Sequence, residues 1–447
     1  MKKIDFDRLA ENLRWPLLVS ALLLIGAGLV TLYSTSGLGR EVASNHFAKQ
    51  MAFATLGVIG LCVFFFFDYR RLKIIAWPLF GVCIILLIAV KFVGITAGGA
   101  QRWLPLGPFR FQPSELTKVG LVLILAHLFA RRSELKPLGF KDLGLPLLLI
   151  LTPFVFILKQ PDLGTAIHLL LTVSPIFLFV GLRKRVILTI IGLGAAAIIW
   201  IFFLGGQEFL LQREVIKPYH LARFRFFLAP KAAPTEQGWQ IIQAESAIGS
   251  GQVFGQGFLE GSQHRYGFLP APETDFAFAA LAEEWGFVGA SATLLLFFCL
   301  FCSALGVVRH SGEPFGAYLA LGLISLIFWQ MTINLAMVLG LFPVVGIPLP
   351  FISYGGSSLL TSLLAIGVLT NIGLNRFVFQ DETVKPNPLV WEKASPPKVP
   401  SLAPVRRLGP PNPNEPEPYP DHRLTHREPW LKYRRKPFLP FFPPSDD

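Results

Sequence analysis

One acid stands where a polar stretch gives way to apolar sequence. Asp275 follows a Gly-rich run that begins near Gln237, and it opens an apolar span that also carries Glu283 and Glu284. Pro270 and Pro272 stiffen the approach to it. The glycines before them let backbone turn tightly or come close to a ligand. A carboxylate at the edge of an apolar span is costly unless it works or is paired, so Asp275 is the first place to look for chemistry. A second group opens another apolar run. Glu115 and Lys118 lie three apart on one helix face, and Ser114 joins them four residues before Lys118. Charges at membrane depth cost about 2.5–3.5 kcal/mol each on insertion scales, so these two pair or face a polar cavity. A structural ion pair between helices and a substrate role both fit them.

Other polar residues have two readings each. Asp162 sits in the break QPDLGT, where it either caps a restarting helix or shapes a cavity. Arg102 and Trp103 precede Glu115 in a loop rich in Gly, Pro and aromatics, a place where Trp is often an interface anchor. His127, His168, Asn334 and Asn371 lie within spans, where polar contact between helices is the default use. For His264 and Arg265, in the large loop, the default is solvent exposure, and for SYGGSS after Ile352 it is backbone packing.

The elements that must position these residues are membrane helices. The chain has 447 residues, 53% hydrophobic and 15% charged, with mean hydropathy +0.54. A soluble domain carries about 25% charged residues. The apolar runs are long and continuous, unlike the alternating segments of a barrel. The expected fold is an all-α polytopic membrane protein of about ten transmembrane helices. The spans begin near Trp15, Phe47, Ile74, Pro113, Leu143, Leu163, Val186, Phe276, Phe315 and Leu359. An even count puts both termini on one side. Basic clusters in the leader (Lys2, Lys3, Arg8, Arg14) and after spans two, four and six make that side cytoplasmic. A large loop between helices 7 and 8, residues 206–274, is then extracytoplasmic, as are the loops after spans three and nine.

The net charge of +12 follows from these clusters and gives no reason to invoke nucleic acid. The cations of the large loop, Arg213, Lys217, Arg223, Arg225, Lys231 and Arg265, suit an anionic lipid or a pyrophosphate. Cys62, Cys83, Cys299 and Cys302 all fall in apolar runs, and the CxxC of the last two lacks a second ligand pair, so packing is expected. No cleavable signal is evident. Residues 1–379 form the membrane domain, and 380–447 is a Pro-rich tail expected to be disordered and cytoplasmic. There is no Walker loop, no HExxH and no GxSxG.

Together the motifs resemble the SEDS family (shape, elongation, division and sporulation), whose members include RodA and FtsW. The matching blocks are RWLPLGPFRFQPSELTK at 102–118, KQPDLGTA at 159–166, AIGSGQVFGQGFLEGSQ at 247–263, FLPAPETDFAFAALAEEWGFVG at 268–289 and PLPFISYGGSS at 348–358. They span about 380 residues in family order. The form of the third block is similar to the elongation branch, RodA. One departure is Glu273-Thr274-Asp275, where the family commonly has His-Thr-Asp; a carboxylate beside Asp275 tends to raise its pKa. The tail has no counterpart in the resemblance.

The resemblance implies a peptidoglycan glycosyltransferase of the bacterial cytoplasmic (inner) membrane, polymerising lipid II and releasing undecaprenyl pyrophosphate. It implies Asp275 as general base, Glu115 orienting Lys118, and Arg102, Trp103, Lys118 and Asp162 around the substrate, with Arg223 and Arg265 as further diphosphate contacts. The implied partners are undecaprenyl-linked glycan, a class B penicillin-binding protein and other elongation-machinery membrane proteins. A divalent cation such as Mg2+ or Mn2+ stays open, since no ligand spacing is diagnostic and no metal residues are assigned. Two other classes compete. A carrier flipping lipid-linked precursor fits the helix count and the broken pair at PDLG, but it wants its charges near the midplane. A scaffold recruiting a transpeptidase predicts that Asp275→Ala is silent.

Overall fold

The computed structural model describes residues 14–36, 41–97, 100–107, 109–132, 136–203 and 237–378. Arg223 and the segment 380–447 lie outside these. The helices are α1 (Trp15–Ser36), α2 (Glu41–Phe66), α3 (Leu72–Val93), α4 (Pro113–Ala130), α5 (Gly144–Lys159), α6 (Leu163–Val180), α7 (Lys184–Phe203), α8 (Gln237–Ser250), the short α9 (Ser262–Arg265), α10 (Ala277–His310), α11 (Pro314–Val338) and α12 (Gly356–Val378). Nine helices among the described residues are long and apolar enough to cross a membrane. The 20-residue α7 stands where the seventh span is expected. This is the multi-pass helical architecture that the apolar runs imply.

Local chemistry sets the helix ends. Pro113 and Pro314 start α4 and α11, where a missing N–H costs nothing. Asp162 caps α6 by accepting from Thr165 N at 3.1 Å. Asn371 ties α12 to the α2–α3 turn: it accepts from Tyr69 N at 3.0 Å and donates to Phe64 O at 2.7 Å. Its expected use between helices is thereby met.

Two stretches read as loops carry structure. The Gly/Pro/aromatic segment after α3 forms a three-stranded antiparallel sheet: β1 (Ile95–Ala97), β2 (Ala100–Leu106) and β3 (Phe109–Phe111). The first half of β2 pairs with β1 and the second half with β3, Pro105 standing opposite Arg110. The sheet is a small addition to an otherwise helical bundle. The second stretch is α8, which buries Ile241, Ala244 and Ala247 and packs on α10.

Helix α10 is two helices in series. Gly286 has φ 62° and ψ −161°, which breaks the ladder. The segment Gln252–Gly257 fills the break. Gln256 N donates to Glu283 O at 2.9 Å and Gly257 N to Glu284 O at 3.1 Å. In return Phe287 N donates to Gln252 O at 2.8 Å and Val288 N to Val253 O at 3.1 Å. Irregular backbone survives beside lipid only when its polar groups are satisfied in this way. A Cβ on Gly255 would lie 2.0 Å from Glu284 O, so the Gly-rich motif lets two backbones touch.

The cysteines depart from expectation. Cys83 is buried, but Cys62, Cys299 and Cys302 are exposed on the outside of the bundle. An apolar run in a membrane protein does not distinguish a core face from a lipid face.

Candidate active site

The starts of α2, α4, α6, α10 and α12 meet at one end of the bundle, with β2, β3 and the 344–355 segment over them. Between them lies a cavity of about 390 Å³. Asp275, Glu115, Lys118, Arg102 and Trp103 all line it. Five sequence-predicted residues from two separate motif blocks therefore share one space.

Lys118 is held from two sides. Its Nζ donates to Glu115 Oε1 at 2.8 Å and lies 3.0 Å from His168 Nδ1. The other ring nitrogen, His168 Nε2, lies 2.9 Å from Leu326 O. A carbonyl only accepts, so Nε2 carries the hydrogen and Nδ1 is left to accept from lysine. His168 is fully buried and Lys118 only 1% exposed. Burying charges at this depth requires such pairing. Arg102 reaches down from β2 to Asp162, Nη1 to Oδ2 at 3.1 Å. Asp162 thus does both things considered for it, capping α6 and fixing a cavity wall, while standing behind the lining.

Asp275 sits two residues before α10, half-buried. The Gly346 backbone passes beside it: a Cβ there would stand 3.5 Å from Asp275 Oδ2. Asn334 of α11 donates to both Asp275 O at 2.9 Å and Ile347 O at 2.8 Å. Glu273 lines a different groove and does not line this cavity. Arg265 also lines that second groove and does not line this cavity. Arg223 lies outside the described residues.

The cavity has further polar walls. His46 and Lys49 come from α2, Arg110 from β3 and Tyr354 from the segment before α12. His46 stacks on Tyr354 with centroids 4.6 Å apart. Burial raises the Tyr354 phenol above its usual range against the opposing charge of Arg110, so the hydroxyl stays neutral. Sequence reasoning did not single out His46, Lys49 or Arg110, and it took Tyr354 only as part of SYGGSS, with backbone packing as its use. His46 and Lys49 have the same three-residue spacing at the head of an apolar run as Glu115 and Lys118, and Arg110 lies inside a block already recognised. His168 was assigned only packing between helices.

Electrostatically the four cations fall into two kinds. Arg102 and Lys118 are neutralised by Asp162 and Glu115. Lys49 and Arg110 line the same cavity with no ion-pair partner among the described residues. Glu115 Oε2, Arg102 Nε and His46 Nδ1 are buried there without a hydrogen-bond partner. Buried polar atoms are normally satisfied, so the cavity suits a polar occupant that both donates and accepts hydrogen bonds. Among the described residues no group of three or more His, Cys, Asp or Glu side chains is arranged to hold a metal ion, and the divalent cation left open by the sequence is assigned no ligands.

His264 is not the exposed residue expected of a loop. It is buried between Glu283 at 3.2 Å and Glu284 at 3.3 Å. Glu283 also accepts from Gln263 N at 2.7 Å and Ser262 Oγ at 3.1 Å. Glu284 accepts from Ser34 Oγ and from Leu259 N. Burial lowers the His264 pKa, but the two carboxylates outweigh it and hold the imidazole up to about 9. The cluster pins the loop to α10 beside its break.

His127 lies at the opposite end of the bundle, lining another space with Lys73 and Arg131.

Fold and site define a multi-pass membrane protein with a charged cavity at one end of its helix bundle. The chain belongs to the FtsW/RodA/SpoVE family, described as cell cycle proteins, whose profile matches residues 14–376. It is 35% identical over 375 residues to the peptidoglycan glycosyltransferase MrdB of Escherichia coli K12, covering 84% of this chain and 96% of the relative. It is 33% identical to the peptidoglycan glycosyltransferase RodA of Treponema pallidum, covering 82% and 97%. To the probable peptidoglycan glycosyltransferase FtsW of Trichlorobacter lovleyi it is 37% identical, covering 80% and 92%. Identity therefore does not separate the branches. Among solved structures, it is similar to a chain of a peptidoglycan synthase complex that coordinates polymerization and crosslinking. The TM-score is 0.69 and the identity 30%, covering 82% of this chain and 98% of that one. It is also similar to the rod shape determining protein RodA of Thermus thermophilus, with TM-score 0.59 and 29% identity over 82% and 98% of the two chains.

Proposed function

We propose that this chain is a peptidoglycan glycosyltransferase of the bacterial cytoplasmic membrane. It polymerises lipid II into glycan strands on the outer face, in the elongation branch, and releases undecaprenyl pyrophosphate. One observation carries the reading: Asp275 shares a single cavity with two neutralised cations and two that have no ion-pair partner among the described residues. The family's glycosyltransferases support the reaction class. The form of the 247–263 block supports the elongation branch.

In the reaction, Asp275 removes the proton from the 4-hydroxyl of the incoming N-acetylglucosamine. That oxygen attacks the anomeric carbon of the growing strand. The new C–O bond forms as the bond to the pyrophosphate oxygen breaks, and the electron pair leaves on undecaprenyl pyrophosphate. Lys49 and Arg110 have charge to spare for the diphosphate, whereas Arg102 and Lys118 shape the cavity. Glu115 and His168 orient the Lys118 ammonium. Grooves between the apolar helices accommodate the polyprenyl tails.

Placement favours catalysis over carriage. Glu115 and Lys118 are in the first two turns of α4, His168 in the second turn of α6, and Asp275 just ahead of α10. A carrier site belongs near mid-span. The likeness to a synthase complex supports a class B penicillin-binding protein as partner.

The test is polymerisation of lipid II by the purified protein with its cognate transpeptidase partner, the transpeptidase being blocked. Wild type yields long strands. Asp275→Asn and Asp275→Ala lose roughly 10²–10⁴-fold in rate at unaltered Tm. Variants that polymerise like wild type remove Asp275 from the base role. A partnered wild type that makes no glycan but moves lipid II across vesicles makes the protein a carrier.

A further inference from the structure

The segment from Pro270 to Asp275 borders two spaces. Thr274 and Asp275 line the cavity described above. Residues 270–273 line a second groove of about 310 Å³. Its other walls are the C-terminal turn of α1 (Ser34 to Ser36) and the short helix α9 with its neighbours (His264, Arg265, Gly267, Leu269). Nothing in the reaction at Asp275 uses this groove.

Three features suit it to a ligand. Ser36 lines it, is 2% exposed, and its hydroxyl has no hydrogen-bond partner. Arg265 and Glu273 both line it, and neither forms an ion pair among the described residues, although their charges are opposite. His264, whose charge is taken up by Glu283 and Glu284, forms the floor. Among the described residues the groove therefore offers one unpaired cation, one unpaired anion and the Ser36 hydroxyl, in a volume of the size that takes a small polar ligand. Such a site matches a ligand that carries both signs of charge.

We propose that this groove binds the stem peptide of lipid II, Arg265 taking a peptide carboxylate and Glu273 the amine of the diamino residue. The proposal rests on the polymerase reading of the neighbouring cavity. The peptide hangs from the sugar whose reacting carbon lies at Asp275, and a wall of a few residues separates the two spaces. The acid at 273 is then a peptide contact and not a modulator of the base.

The experiment uses the full-length protein in micelles and has two arms. In the first, binding of UDP-N-acetylmuramyl-pentapeptide is compared with that of the same nucleotide sugar without its peptide. Wild type binds the peptide form more tightly. R265A and E273Q each shrink that difference by roughly fivefold, the scale of one exposed ion pair, and R265K restores it. In the second, with the partner present, kcat/KM is measured on pentapeptide lipid II and on its dipeptide analogue. The ratio falls toward one in R265A and E273Q. A wild type that does not distinguish peptide from no peptide overturns the proposal, as do variants that weaken both ligands equally or neither. If wild type polymerises nothing yet binds the peptide form through Arg265, the polymerase reading fails and the peptide site stands. If it polymerises both substrates alike, the reverse holds.

Discussion

The side-chain amide of Asn334 donates to the backbone carbonyl of Asp275 at 2.9 Å and, from the same nitrogen, to Ile347 O at 2.8 Å. Asn334 is fully buried on α11. It joins the acid-bearing segment to the segment that passes over the cavity. Position at the site is thus set by a helix that contributes no charge to it.

Asn334→Ala removes both bonds and leaves the buried Ile347 carbonyl without a donor, a cost of about 1–3 kcal/mol. The expected outcome is a lower Tm and a fall in polymerisation rate larger than the loss of folded protein explains. Asn334→Asp, which cannot donate when ionised, behaves alike. Thermal melts beside glycan assays check this, and wild-type values in both would show that Asn334 does not position Asp275.

Lys118 and Glu115 form a buried pair, and removing one partner strands the other. Lys118→Met and Glu115→Gln each destabilise by about 3–5 kcal/mol, and the double variant recovers part of the loss. A double-mutant cycle on unfolding measures the coupling. Additive losses would mean that the pair does not interact at 2.8 Å as the structure has it.

Lys49 and Arg110 have no ion-pair partner among the described residues and are expected to meet the diphosphate. Lys49→Met and Arg110→Gln raise KM for lipid II by roughly 10–100-fold, the worth of a hydrogen bond to a charged group, with little change in Tm. Removing the neutralised Arg102 destabilises the protein instead. Steady-state kinetics with melts distinguish the two kinds of cation.

His264 gives a pH dependence with a definite sign. Its folded pKa, about 9, lies above the unfolded value of 6.5. The stability it contributes is fully present below pH 6.5 and is lost as pH rises through 9. Tm therefore falls between about pH 7 and 10 in wild type, and less steeply in His264→Gln. Parallel melting curves across that range would remove His264 from the account.

The spans were legible because each apolar run has the length a bilayer demands, and Asp275, Glu115 and Lys118 were legible because charge is expensive there. The sheet was not, since Pro105, Gly107 and Pro108 interrupt the alternation that marks strands. Helix α8 left a trace in the buried spacing Ile241, Ala244 and Ala247, but its Gly and Gln read as loop. The burial of His264 depends on acids 19 and 20 residues away in sequence, and no local pattern reports such a pairing. For Lys49 and Arg110 the residue type was visible; the absence of a counter-charge among the described residues is a property of three dimensions.

The junction at Gly286 has a bearing on how this protein will look to genetics. Gly255 and Gly286 touch through their backbones, with each virtual Cβ within 2.3 Å of the opposing chain. A saturation screen for viability would therefore score these glycines as severely as Asp275, although they touch no substrate. The discriminator is abundance. Lesions at the junction should deplete the protein from the membrane, whereas lesions at the acid should leave it there, inert and able to compete with wild type for its partners.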